Sequence, residues 1–175
     1  MTFIDPIEPT EIDERGLTAR IELFAVLGDD AATFVRILAQ APTYAEALWD
    51  AMAEALFEGG VDHSLKEMMR IQLAAKAEDP YFGSLRSKRA LEAGLTEERI
   101  QAALGDFTSD PQFNDAETWA LEYSYRMYRT PETVDAAFYD QGKQLWSEAQ
   151  IMEMGGLIAI HYGMQVFMRT LTAAN

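Results

Sequence analysis

Among the polar groups in the 20 residues from Glu67 to Arg86 are the carboxylates of Glu67 and Asp79, the phenol of Tyr81 and the guanidinium of Arg86. Together such groups can take up a proton, donate a hydrogen bond and grip a substrate carboxylate in bidentate fashion. A further titrating group, His161, lies in the apolar stretch GLIAIHYGMQVFM and shares a helical face with Gln165 and Arg169. Imidazole changes charge near neutral pH and can act there as acid or base. Each residue also has a structural reading. Glu67 follows Ser64 by three, as in a capping box. Asp79 before Pro80 is a helix N-cap. Tyr81 fits a partly buried core aromatic, and Arg86 a basic solvated face with Lys88 and Arg89. His161 fits a wet or inter-subunit face, and His63 a surface position ahead of the cap.

The chain has no cysteine, which excludes disulfides, thiolate ligands and any thiol nucleophile of its own. Two histidines far apart and no H-E-x-x-H pattern predict no metal site. No phosphate loop, dinucleotide fingerprint or G-x-S-x-G turn points to a cofactor, and none is expected. A net charge of −15 and pI near 4.4 argue against nucleic acid and anionic membranes, because binding to either needs clustered Lys and Arg. The start MTFIDPIEPTEIDERG is not a signal peptide, and no apolar run reaches the ~20 residues of a membrane span. A cytoplasmic location is therefore expected.

These groups must be positioned by helices. Apolar residues recur at helical spacing almost throughout, and no stretch alternates as a strand does. Residues 1–12, with Pro6 and Pro9, read as an extended arm. Helices are predicted over 17–27, around Phe34–Ala39, and from Pro42 to the Gly59-Gly60 stop. Ser64 is expected to cap a helix to about Glu78, and Asp79-Pro80 to restart one that runs to Gly94. Thr96 opens a short helix and GDFTSDPQF (105–113) forms a loop. Later helices follow around Ala116–Met127, over 132–145, and from Ser147 to about Thr172. Gly155-Gly156 inside the last helix signals a kink or close helix approach. The sum is an all-α multi-helix bundle of about eight helices in one domain over 1–175.

The ordered set Leu65-Lys66-Glu67, Arg70, Ala74-Ala75, Tyr81, Ala93-Gly94 and Leu95–Ile100 resembles the carboxymuconolactone decarboxylase / alkylhydroperoxidase D-like superfamily. Residues 36–67 and 113–145 extend the likeness to about 140 residues. The family's acid falls on Glu67 and its tyrosine on Tyr81. Its C-x-x-C cysteines fall on Asp79 and Phe82, and its relay histidine on Arg86. The resemblance implies the alkylhydroperoxidase D-like fold and a homo-oligomer, trimeric or hexameric.

With both thiols missing, peroxidase chemistry lacks its nucleophile and its resolving group. It is the least favoured of three readings. The first is a cysteine-free acid–base enzyme (decarboxylase, hydratase or isomerase) acting on a small organic acid or lactone. In it Glu67, Tyr81 and His161 are catalytic, while Arg86, Asp79 and Phe82 bind substrate. It requires Glu67, Arg86 and Tyr81 to line one pocket, although a hairpin turning at Asp79 leaves Glu67 and Arg86 ~7.5 Å out of register. The second is a non-catalytic binding or scaffold protein, which predicts a filled pocket and Arg86 facing solvent.

Overall fold

The computed structural model describes residues 2–14 and 31–171. They are all-α, with no strand among them. Short α1 (Pro9–Glu14) and α2 (Ala31–Leu38) precede the long α3 (Pro42–Phe57) and α4 (His63–Lys76). Three short helices follow: α5 (Pro80–Ser84), α6 (Lys88–Glu92) and α7 (Glu97–Leu104). After a loop come α8 (Asp115–Arg129), a 3-10 turn at Pro131–Thr133, α9 (Ala136–Leu145) and α10 (Glu148–Leu171). The helix expected over 17–27 lies outside the described residues. The extended arm is shorter than expected, because Pro9 occupies the first turn of α1, where its missing N–H is no loss. No helix among the described residues is long and apolar enough to cross a membrane.

Helix α4 is the centre of the bundle. It packs against α3, α5, α6, α7, α8 and α10, and every residue from Leu65 to Ala74 is buried, Lys66, Glu67, Arg70 and Gln72 included. Its start differs from the expected one. Asp62 is the cap, accepting from the Ser64 and Leu65 N–H groups at 2.9 and 3.2 Å. Glu67 is thereby left out of any capping box. Lys66 Nζ, fully buried, pairs with Glu153 of α10 and donates to the Glu58 carbonyl. Glu153 also accepts from the Gly60 and Val61 N–H groups at 2.9 and 3.1 Å, so one carboxylate ties the α3–α4 turn to α10.

The far end of α4 closes with the Asp79 N–H on the Ala74 carbonyl at 3.0 Å and the Glu78 N–H on Ala75 at 3.1 Å. Glu78 takes the left-handed conformation (φ 53°) that such an ending requires. Asp79 then caps α5 through the Phe82 N–H at 3.0 Å, as expected. The restarted helix does not run on to Gly94, however. It stops at Ser84, Leu85 and Ser87 are extended, and Ser87 caps α6. The backbone groups of this break are bound by side chains of α4, described below.

Helices α3 and α10 run antiparallel. Gly60 meets Gln150 and Glu153 at one end, and Ala41 and Tyr44 share a groove with Phe167 and Leu171 at the other. Gly155 does mark a close approach, since a Cβ there would sit 2.8 Å from Tyr123 Oη, whereas Gly156 faces open space. At Gly142 a Cβ would fall inside the Trp119 indole, which stacks on Phe138 at 4.8 Å. Gly142→Ala is expected to lose about 1–3 kcal/mol through overpacking. Gly156→Ala should instead gain about 1 kcal/mol from helix propensity alone. Urea denaturation of both variants checks this, and a loss at Gly156 would show that its face is covered in solution.

Candidate functional site

Glu67 and Arg70 lie one turn apart on α4, a spacing that lets their side chains meet. Their pair is bidentate, Nε to Oε2 at 2.7 Å and Nη2 to Oε1 at 2.8 Å, and both side chains are almost wholly buried. Each also reaches across to the break between α5 and α6. Arg70 Nη1 donates to the Phe82 carbonyl at 2.8 Å and Nη2 to the Leu85 carbonyl at 2.7 Å. Glu67 Oε1 accepts from the Ser87 N–H at 2.7 Å. The chain leaves helical geometry at 85–87 because a buried ion pair binds the backbone groups that a continuing helix would have paired. Burial alone would raise the Glu67 carboxyl. The charge and hydrogen bonds of Arg70, with the Ser87 N–H, outweigh it and hold Glu67 below the usual carboxylate range.

Arg70 also lines a cavity between α3, α4, α5 and α10. Its walls are Met52, Ala55, Leu56, Phe82, Leu157 and Ile160, with His161 beside Arg70. Its free interior is about 40 Å³. One water needs roughly 10–15 Å³ on that measure, so the space takes about three waters or one small ring. Its mouth lies at the partly exposed Met52, Ala55 and Ile160. Four of the guanidinium's five N–H bonds are engaged, two by Glu67 and one each by Phe82 and Leu85. One Nη1–H remains.

His161 is buried and its ring stands edge-on to Phe82 at 5.2 Å. It hydrogen-bonds the Arg70 main chain, while Nε2 has no partner among the described residues. The bonded nitrogen is therefore Nδ1. Burial pushes the His161 pKa down, the nearby Arg70 charge lowers it further, and the main-chain bond only partly opposes them. The imidazole is neutral throughout the neutral range, with Nε2 unpartnered.

Of the six residues singled out in the sequence, only Phe82 and His161 line the cavity. Glu67 stands behind Arg70 and acts on the site through it. Asp79 is occupied as a cap. Tyr81 is turned toward α2, where its hydroxyl accepts from the Phe34 N–H at 3.2 Å. Arg86 faces away, with Nε and Nη2 on Glu97 at 3.1 and 3.2 Å and Nη1 on the Gly83 carbonyl at 2.6 Å. Glu67, Tyr81 and Arg86 thus do not share a pocket, as the first reading required. The half-turn inserted at 85–87 is the reason, since it swings Arg86 outward. The cation at the cavity is Arg70, which the Glu67-x-x-Arg70 spacing could have revealed as a helical ion pair.

His63 is not a free surface residue either. Nδ1 meets the Leu56 carbonyl at 2.9 Å and Nε2 the Ser87 hydroxyl at 2.8 Å. Nothing in the local sequence around Met52 or Leu157 signals a cavity wall. Among the described residues no three His, Asp or Glu side chains converge in a way that could hold a metal ion.

Glu67→Gln leaves Arg70 charged and unpaired in the interior and is expected to lose about 3–5 kcal/mol. Glu97→Gln, which breaks the exposed pair with Arg86, should lose under about 1 kcal/mol. Chemical denaturation of both compares a buried pair with a surface one. Acid should weaken the fold in two stages. His161 stays neutral when folded but titrates near 6.5 unfolded, so the unfolded chain binds the proton first and stability falls as pH drops below 6.5. Glu67, held below its ordinary 4.5, adds a second decline below that value. His161→Asn should abolish the upper stage and spare the lower one, as read from melting temperature against pH.

Comparisons with known proteins agree with the all-α fold. Residues 42–124 match the Carboxymuconolactone decarboxylase family. The crystal structure of a variant of the debrominase Bmp8 in complex with 2,3,4-tribromopyrrole superposes with a TM-score of 0.75 at 16% identity, covering 97% of this chain and 89% of that one. The apo debrominase Bmp8 gives 0.74 at 16%, covering 97% and 90%. No curated protein matches the chain. At such identity the structural likeness carries the fold, and the segment 42–124 holds the Glu67–Arg70 pair, Asp79, Phe82 and Ser87. That segment, a little under half of the chain, is similar to the carboxymuconolactone decarboxylase family and contains no cysteine.

Proposed function

We propose that the cavity binds a small, largely apolar carbonyl compound, such as a lactone or an organic acid in its neutral form, and that His161 removes a proton from it. One observation carries this reading. His161, buried and neutral with its Nε2 unpartnered, lines the same small cavity as Arg70, which keeps one uncommitted N–H. The carbon-bound proton would pass to Nε2, its electron pair would move into the new double bond, and the carbonyl oxygen would become an oxyanion held by the Arg70 Nη1–H. Return of the proton to another carbon gives an isomer. Where the carbon bears a neutral carboxyl group, His161 takes the O–H proton instead, and loss of carbon dioxide supplies the electron pair. A histidine with a lowered pKa is a weak base, so the substrate must carry an activated proton. The complex of Bmp8 with 2,3,4-tribromopyrrole supports a small ring as ligand on this fold. The lack of any thiol in this chain separates its chemistry from a thiol-based reaction.

The outward pairing of Arg86 with Glu97 favours a second reading, a protein that binds such a compound without transforming it. Proton exchange separates the two. Deuterium incorporation into 2(5H)-furanone, followed by proton NMR, should be catalysed by the wild type and fall by about 10²–10⁴-fold in His161→Asn. The rate should be level across neutral pH and decline only well below 6.5, because His161 is already unprotonated. Binding without catalysed exchange, or exchange that survives the substitution, would leave the binding reading in place.

A further inference from the structure

Two more buried side chains near the cavity lack partners. Gln165 is fully buried, and neither its Oε1 nor its Nε2 is hydrogen-bonded among the described residues. Trp49, also buried, has an unpartnered Nε1–H. Buried polar groups are rarely left so, and each orphan is unfavourable by about 1–3 kcal/mol. Gln165 is one turn beyond His161 on the same face of α10. Trp49 is one turn before Met52 on α3. The antiparallel register, which sets Met52 and Leu56 against Leu157 and His161 and Tyr44 against Phe167, puts Trp49 level with Gln165. The orphans therefore follow one another in a strip along the α3–α10 contact: His161 at the cavity wall, then the Gln165 carboxamide and the Trp49 donor packed behind that wall.

We infer that this strip is the polar end of the ligand site, and that it selects a ligand edge bearing a hydrogen-bond donor next to an acceptor, as in a lactam or cyclic imide. The inference rests on the cavity being the ligand site proposed above, and names the ligand class. A carboxamide is met by its own complement: Oε1 needs an N–H or O–H, and Nε2 needs a carbonyl oxygen. The Trp49 N–H adds a second donor to that oxygen, and His161 Nε2 a second acceptor. An ionised carboxylate offers only lone pairs and would leave Oε1 and Nε2 of His161 opposed to negative charge. A plain ketone or lactone would leave them unpaired.

The test is titration of the intact protein with 2-pyrrolidinone and with cyclopentanone, followed by NMR, using wild type, Gln165→Leu and Trp49→Phe. The one extra hydrogen bond, from the lactam N–H, corresponds to a preference for the lactam of several-fold up to about tenfold. Gln165→Leu should weaken cyclopentanone by the one bond from Nε2 and the lactam by that bond and the one to Oε1, so that the preference is erased. It should also raise the melting temperature of the unliganded protein, which establishes that the variant folds. Trp49→Phe should weaken both compounds alike, since both offer the carbonyl oxygen. Equal affinities in the wild type, or a preference that survives Gln165→Leu, would overturn the inference and leave the cavity reading intact. So would a crystal structure with ordered water alone on Gln165. Failure of both compounds to bind would remove the cavity reading as well.

Discussion

The structure depends on one buried ion pair. Placing Glu67 and Arg70 in the centre of the bundle is unfavourable unless each hydrogen-bonding position is filled, and their own bidentate contact fills only part of them. The rest is supplied by the backbone of Phe82, Leu85 and Ser87. That demand forces the chain out of helix after Ser84, fixes where α6 begins, and brings Phe82 against the cavity. The pair is thus less a source of stability than a template that gives an otherwise featureless turn one conformation. Lys66, the neighbour of Glu67 on α4, plays the same part with Glu153 toward α10. The central helix is anchored on two sides by charges it has withdrawn from water.

Much of the architecture could be read from the sequence. The Asp79-Pro80 restart, the Thr96 cap, the 105–113 loop and the Ser147 start all have local causes, and local causes survive in a sequence. What misled was α4. HSLKEMMRIQLAAK looks like a helix with a polar side, and a polar side is expected to face water. Here the charged residues point inward because partners distant in sequence receive them. The Ser64/Glu67 pair matched a capping box, but Asp62 took the cap and Arg70 took the glutamate. Arg86 was placed in the pocket by register with a family motif. The break at 85–87, caused by contacts no local pattern records, sent it to the surface. His161 was legible as chemistry though not as environment, since only the packing of Phe82 and Arg70 against it makes it neutral.

The site's chemistry follows from dryness. A guanidinium whose charge is already balanced by Glu67 attracts an anion weakly at long range, yet its remaining N–H is strongly directional in a space with little water. Next to it stands an imidazole that cannot easily be charged, because burial and Arg70 both oppose it. On the proposed function, such a site would discriminate by hydrogen-bond pattern rather than by net charge. That is consistent with a chain of −15 whose cavity has no free positive charge with which to draw in acids.

The cavity is drawn from two parts of the chain with different constraints. Arg70 and Phe82 belong to the segment 42–124 and are held in the ion-pair framework, so a change there disturbs the fold. His161 and Gln165 sit on α10, outside that segment, and join no comparable network. Substitutions on this one face of α10 would alter the proposed base and the proposed polar contact while the supporting frame stays as it is. The arrangement separates what makes the pocket from what determines its use, so relatives sharing the frame can be expected to differ in chemistry chiefly along this helix.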